Sequence, residues 1–276
     1  NILLLAILIL ASTSCQKDFL NEPPLDRITE SDVWSDRDLM DTYLFKIYDN
    51  MPWDYLKDFG GGAGWGAHRD ALTDLAMSTY SWTPANNSIR LGNWGTSTNY
   101  WPLDWWGYDN LWKINYALEN IEGLDEDVLS QEERDNRLGE LYFMRAFSYF
   151  TMARRYGGVP IILVPQDPET TPEDEYFPAR NTEKEVYDQV LEDLQNAFEL
   201  LPNRWNGQKG RAGKWAAKAL ESRAALYAGS ITKYGSVELN GLVGIPSSSA
   251  NDYYQISLDA SDKIINERLS IHTSFR

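Results

Sequence analysis

The chain has 276 residues, of which 43% are hydrophobic and 13% aromatic, so it can build a substantial core and is not a disordered segment. Its formal charge is −16. An acidic balance of this size repels a phosphate backbone and leaves no positive groove for a single strand, which excludes nucleic acid as a partner.

Residues 2 to 11, ILLLAILILA, form ten uncharged apolar positions, followed by STS and then Cys15, the one cysteine of the chain. Ten residues are too few to span a bilayer, which takes about 20 in a helix, but they match the apolar region of a secretory leader. No Met or basic stretch precedes them, so the sequence is expected to begin inside its leader, with residues 1–14 as a partial signal peptide. A lone cysteine in an exported chain has no intramolecular disulfide partner. We read Cys15 as the lipid-accepting residue of a bacterial lipoprotein, although Ser12 stands where Leu is usual, three residues before the cysteine. Several acyl chains on one cysteine anchor a protein stably where a single chain does not.

Residues 15–34 contain the Pro-Pro pair at 23 and 24 and are expected to be an extended, lipidated tether. From about Ser35 to Met51, Leu39, Tyr43 and Ile47 predict a helix that ends before Pro52. Residues 52–103 hold GGGAGWG, Pro84, Asn86, Asn87, Ser88 and Pro102 and are expected to be irregular, and a loop of that length in a compact domain is usually functional. Helices then follow one another. Trp105, Tyr108, Trp112 and Tyr116, continued by Leu118 and Ile121, predict an apolar stripe that stops at Gly123. Ser130 with Glu133 forms a capping box opening a helix to Tyr156, stopped by Gly157 and Gly158. Tyr142, Ala146, Tyr149 and Ala153 line one of its faces and Phe143, Phe147 and Phe150 an adjacent one, which predicts a largely buried helix.

GGVPIILVP, beginning at Gly157, is expected to be extended. Thr182 with Glu185 is a second capping box, followed by the stripe Val186, Val190, Leu194, Ala197 and Leu201 and stopped by Pro202. GKWAAKALESRAALYAGS predicts a helix whose small residues allow close packing, and NDYYQISLDASDKIINERL a last one ending near Arg268. The expectation is a mainly α fold of tetratricopeptide-like helical pairs with long irregular ligand-binding loops.

Four blocks in order, CQKDFLNEPPLDRITESDVWSD, GELYFMRAFSYFTMARRYGGVPI, RNTEKEVYDQVLEDLQNAFELLP and GRAGKWAAKALESRAALYAGS, resemble the SusD/RagB family of Bacteroidetes outer-membrane lipoproteins. The resemblance runs from Cys15 to about residue 267. It implies a surface-exposed, lipid-anchored protein on the outer membrane that binds oligosaccharide or polysaccharide. Such a protein sits as a lid on a SusC-like TonB-dependent transporter and needs no cofactor. Members of the family are about twice this length, so residues 35–276 are expected to be the N-terminal part of the SusD-like helical domain, truncated before its C-terminal part.

Eight of the eleven tryptophans, Trp53, Trp65, Trp82, Trp94, Trp101, Trp105, Trp106 and Trp112, lie between residues 53 and 112 among Asn, Arg and Asp residues. Indole offers a flat apolar face and a polar N–H, which is what the C–H face and hydroxyl rim of a sugar require. Tryptophans also build small cores beneath loops. Trp105 and Trp112, seven apart at a helix start, are expected in the core. The resemblance places Tyr80, Trp82 and Asn86 near the ligand, with Trp94, Tyr100 and Trp101 as equal candidates.

No catalytic constellation stands out. Asp70 with Asp74, or Asp104 with Asp109, could flank a glycosidic bond, but chance supplies such pairs in a chain with 41 acidic residues. His68 and His272 are the only histidines and form no metal-ligand spacing, and GGGAG at 60–64 lacks the Lys-Ser/Thr of a phosphate loop. Arg145 and Arg154 are expected in ion pairs with Glu140 or another acidic neighbour, and Arg211 in capping or bracing the helix that follows it. A non-enzymatic glycan-binding lipoprotein is therefore the first reading. The second is a tetratricopeptide-like scaffold that binds peptide or protein for peptide uptake.

Overall fold

The computed structural model describes residues 28–53, 74, 92 and 106–269. The helices in chain order are α1 (Glu30–Ser35), α2 (Arg37–Asn50), α3 (Tyr108–Glu122), α4 (Gln131–Tyr156), the single turn α5 (Glu173–Tyr176), α6 (Glu183–Leu200), α7 (Lys214–Tyr234) and α8 (Ala250–Lys263), the last continued by a π-helical turn, Ile264–Leu269. Among the described residues the only β feature is an isolated bridge between Glu238 and Val243. No described helix is long and apolar enough to cross a membrane.

The long helices form a sequential array in which α3 packs on α4, α4 on α6, α6 on α7 and α7 on α8. This is the tetratricopeptide-like, mainly α fold expected from the sequence. The two capping boxes form as spelled out. Ser130 and Thr182 each accept from the backbone N–H three residues on, and Glu133 and Glu185 each accept from the cap residue's own N–H. The stripe Val186, Val190, Leu194 and Ala197 of α6 is fully buried. On α7, Gly229 lets the Tyr254 ring of α8 approach until a Cβ there would lie 2.9 Å from it.

Three expectations change. The end of the tether is not extended: the N–H of Thr29 donates to Asp32, opening α1, and Trp34 is buried in edge contact with Tyr43 (5.2 Å) and Tyr116 (5.8 Å). On α2 the buried line is Met40, Leu44 and Ile47, with Leu39 and Tyr43 half-buried. A spacing of four drifts by about 40° per step around a helix, so the face turned inward lies beside the one it suggested. On α3 the core face is Leu111, Ile114, Ala117, Leu118 and Ile121, while Tyr108 and Tyr116 are half-buried and Trp112 is exposed.

Polar side chains cross-link this interior. Arg211, ahead of α7, bonds Glu140 of α4 and Asp41 of α2 and lies 4.1 Å over the Trp205 ring, so it braces α2 against α4 rather than capping α7. Tyr48 donates to Glu140 at 2.7 Å and accepts from Ala212 N–H at 2.9 Å. Arg145 pairs with Asp193 of α6 through two bonds of 2.9 and 2.7 Å, the acidic neighbour the sequence had left open between Glu140 and others. Burial pushes the Glu140 and Asp193 carboxyls up from the usual carboxylate range, and the arginine bonds oppose that push.

Candidate functional site

The segment after α4 is where the fold builds a concave surface. Gly157 closes α4 with φ of +70°, and a Cβ on Gly158 would lie 2.0 Å from the Asn181 carbonyl oxygen, so the chain can turn tightly there only through glycine. Beyond it, residues 159–168 adopt neither helix nor ladder. Their backbone is held by side chains instead. Tyr149 both donates to the Ile162 carbonyl (2.9 Å) and accepts from the Ile162 N–H (2.7 Å). Asn115 donates to the same carbonyl at 2.9 Å, and Tyr108 donates to that of Pro160. Asn181 accepts from Ile161 N–H at 2.9 Å.

One buried group ties this link to the interior network. Arg145, while paired with Asp193, also donates to the Asn115 side chain at 3.1 Å and to the Leu163 carbonyl at 3.5 Å. The link is thereby set at a fixed height beside α3.

Between the link and α3 lies a groove of about 570 Å³ lined by Trp112, Tyr116 and Glu119 of α3, Pro165, Gln166, Asp167 and Pro168 of the link, and Tyr176 of α5. A second lobe of about 230 Å³ shares Trp112, Gln166 and Tyr176 and adds Tyr108, Asp109, Leu111 and Ile162. The Trp112 and Tyr116 rings stack at 4.9 Å with an interplanar angle of 10°. Trp112 donates its indole N–H to the Gln166 carbonyl at 2.8 Å, which fixes the ring while leaving the residue 41% exposed. The Gln166 side chain in turn donates to the carbonyls of Glu175 and Tyr176, locking the α5 turn against the link. Asp167 accepts from Glu169 N–H at 2.8 Å.

The tryptophans of the long loop region divide. Trp53 is half-buried, 4.8 Å from the Phe147 ring, with its indole N–H on the Tyr48 carbonyl, and so serves the core. Trp106 is 51% exposed, in contact with Tyr108 and Tyr156. Trp112, expected in the core, is exposed because Leu111 and Ile114 take the inward face of α3 and the link supplies a surface partner for the indole.

Of the residues singled out from sequence, Tyr80, Trp82, Asn86, Trp94, Tyr100, Trp101 and the lipidation candidate Cys15 lie outside the described residues, as do Trp105, His68, His272, Asp70, Asp104 and the GGGAG run. Sequence reasoning missed Tyr116, Glu119, Gln166, Asp167 and Tyr176. The signal for them was present in the proline-bounded link following a long helix, since an irregular segment needs side-chain partners and those partners mark its neighbours. Among the described residues no group of three His, Cys, Asp or Glu could hold a metal ion.

A helical-pair scaffold that exposes a fixed aromatic shelf beside a side-chain-pinned link has the construction of a binding protein. The chain belongs to the SusD-like family: a family model described as starch-binding and associating with the outer membrane matches residues 25–226. A SusD-like protein of Bacteroides ovatus is 22% identical over 228 residues, which is 82% of this chain and 39% of that protein. SusD-like protein P25 of Formosa agariphila is 25% identical over 233 residues, or 81% of this chain and 42% of the relative. A SusD superfamily protein of Bacteroides fragilis, solved by crystallography, shares the fold with a TM-score of 0.55 at 23% identity, over 85% of this chain and 44% of that one. The chain thus spans about two-fifths of the length of these curated relatives.

Proposed function

We propose that this protein captures an oligosaccharide or polysaccharide at the outer membrane, held there by lipid on Cys15, and delivers it without chemical change to a SusC-like TonB-dependent transporter. Family membership supports the reading, and the observation that carries it is the exposed Trp112 ring, stacked on half-buried Tyr116, with the Glu119 and Asp167 carboxylates at the rim.

A pyranose laid on the Trp112 ring buries its C–H face, while its hydroxyls reach Glu119, Asp167 and the backbone of the link. The volume of the groove, about 570 Å³, lies within the usual range for small-ligand sites, roughly 300–1,000 Å³. The shelf is ordered before ligand arrives, because the indole is fixed by its partner ring and by Gln166. Binding then costs little side-chain entropy. No bond is made or broken in this role, and no cofactor enters it.

The test is affinity electrophoresis of the protein through gels that each contain one polysaccharide. Retardation by one of them supports the reading and names its substrate. If every polysaccharide leaves the mobility unchanged while peptides bind in a calorimeter, the reading is rejected in favour of peptide capture.

A further inference from the structure

The two lobes of the groove carry three carboxylates, Glu119, Asp167 and Asp109, and no lysine or arginine is among the described residues that line them. Lys113 pairs with Asp109 from outside the lining at 3.8 Å. Glu119 and Asp167 are exposed at the rim, on opposite walls, and Trp112, itself exposed, lines the same concavity. An aromatic face between carboxylates attracts an ammonium group twice over, through the ring quadrupole and through charge, and the same arrangement repels an anion.

We infer that this groove is selective for amine-bearing saccharides: an oligomer of unacetylated hexosamine, lying with one ring on Trp112 and its ammonium toward Glu119 and Asp167, is its preferred ligand, and uronate or sulfated sugars are turned away. The inference rests on the glycan-capture reading and assigns the substrate class to this groove. Gln166 does not supply a competing positive site, because its amide nitrogen is spent on the Glu175 and Tyr176 carbonyls.

The experiment is isothermal titration of the protein with three oligosaccharides of equal length: glucosamine, N-acetylglucosamine and galacturonate. The glucosamine oligomer should bind roughly two- to fivefold more tightly than its acetylated counterpart, the range expected of one cation over an exposed aromatic face. The preference should shrink as salt is raised. Galacturonate should not bind measurably. Glu119→Gln should weaken the glucosamine oligomer more than its N-acetylglucosamine counterpart and so shrink the preference for the amine, and Trp112→Ala should weaken both amino-sugar ligands.

Equal affinity for the amine and its acetylated form, or measurable binding of galacturonate, overturns the inference. So does an oligolysine that binds as tightly as the glucosamine oligomer, because the sugar ring would then contribute nothing. Retardation by a polysaccharide that persists in Trp112→Ala would leave glycan capture standing and place it away from this groove. Loss of retardation by every polysaccharide would instead remove the capture reading itself.

Discussion

The buried polar network and the groove are built from similar residue types and put to opposite uses. In the interior, Arg145, Asp193, Asn115, Arg211, Glu140 and Asp41 are bonded to one another across the helices. In the groove, Trp112 stacks on half-buried Tyr116 and bonds the link, yet stays 41% exposed. The lesson is that a binding surface here is recognised by what its side chains leave unused, and that the interior network exists partly to hold the wall against which that surface is formed.

The strongest way to break the comparison is Asp193→Ala. It leaves the Arg145 guanidinium buried without its carboxylate, a change that costs about 3–5 kcal/mol when one partner of a buried pair is removed. Urea unfolding followed by circular dichroism would measure it. Replacing both partners, Arg145→Met with Asp193→Leu, should recover much of that stability, since an apolar pair of similar volume replaces two desolvated charges. Ligand binding should stay weak in the double variant, because Asn115 and the Leu163 carbonyl have lost the group that ties them to the core. Full recovery of binding would show that the link keeps its place without the network.

Gly158→Ala attacks the same link from its root. The added methyl would sit 2.0 Å from the Asn181 oxygen and 2.9 Å from the Glu183 nitrogen, both backbone atoms, so the chain must shift. The expected loss is about 3 kcal/mol, read as a lower unfolding midpoint. An unchanged midpoint would mean that the turn after α4 yields easily and does not define the groove wall.

On the other side of the comparison, Trp112→Ala should cost about 1–2 kcal/mol of stability, the stack on Tyr116 and the bond to Gln166 together, and leave the protein folded. It should weaken saccharide binding by about 1–3 kcal/mol, by analogy with bases stacked on aromatic platforms. If it unfolds the protein instead, the indole belongs to the core after all and the division between the two regions fails.

These regions were not equally legible in the sequence. The helices were, because capping boxes and apolar stripes are local signals: Ser130 with Glu133 and Thr182 with Glu185 mark the starts of α4 and α6. The pairing of Arg145 was legible as a type of interaction but not as a partner, since Asp193 lies 48 residues away on another helix and only packing brings it near. Trp112 was misplaced because aromatic spacing along α3 gives two candidate faces, and Leu111 and Ile114 decide between them only once α4 is present. The groove was legible only as a proline-bounded link in need of side-chain partners; which partners they are could not be read, because the link has no periodicity and its position is set by Tyr149, Asn115 and Tyr108 from elsewhere in the fold.

The smallest expected effect separates two kinds of surface carboxylate. Glu133 accepts from Ser130 through its backbone and hydroxyl and pairs with Arg37 at 3.1 Å, and the Ser130 bonds hold its carboxyl below its ordinary value of 4.5. A carboxyl with a lowered folded value contributes stability that is present above its ordinary value and is lost as pH falls through the lowered one. Wild type should therefore exceed Glu133→Gln by about 0.5–1 kcal/mol at neutral pH, the scale of a solvent-exposed cap, and the two unfolding curves should converge as the pH is taken below that ordinary value. Glu119→Gln should leave stability at neutral pH within about 0.5 kcal/mol, because Glu119 stands exposed at the rim of the groove, where its charge is available to a ligand. A stability loss in Glu119→Gln as large as in Glu133→Gln would place Glu119 with the structural carboxylates and remove it from the binding surface.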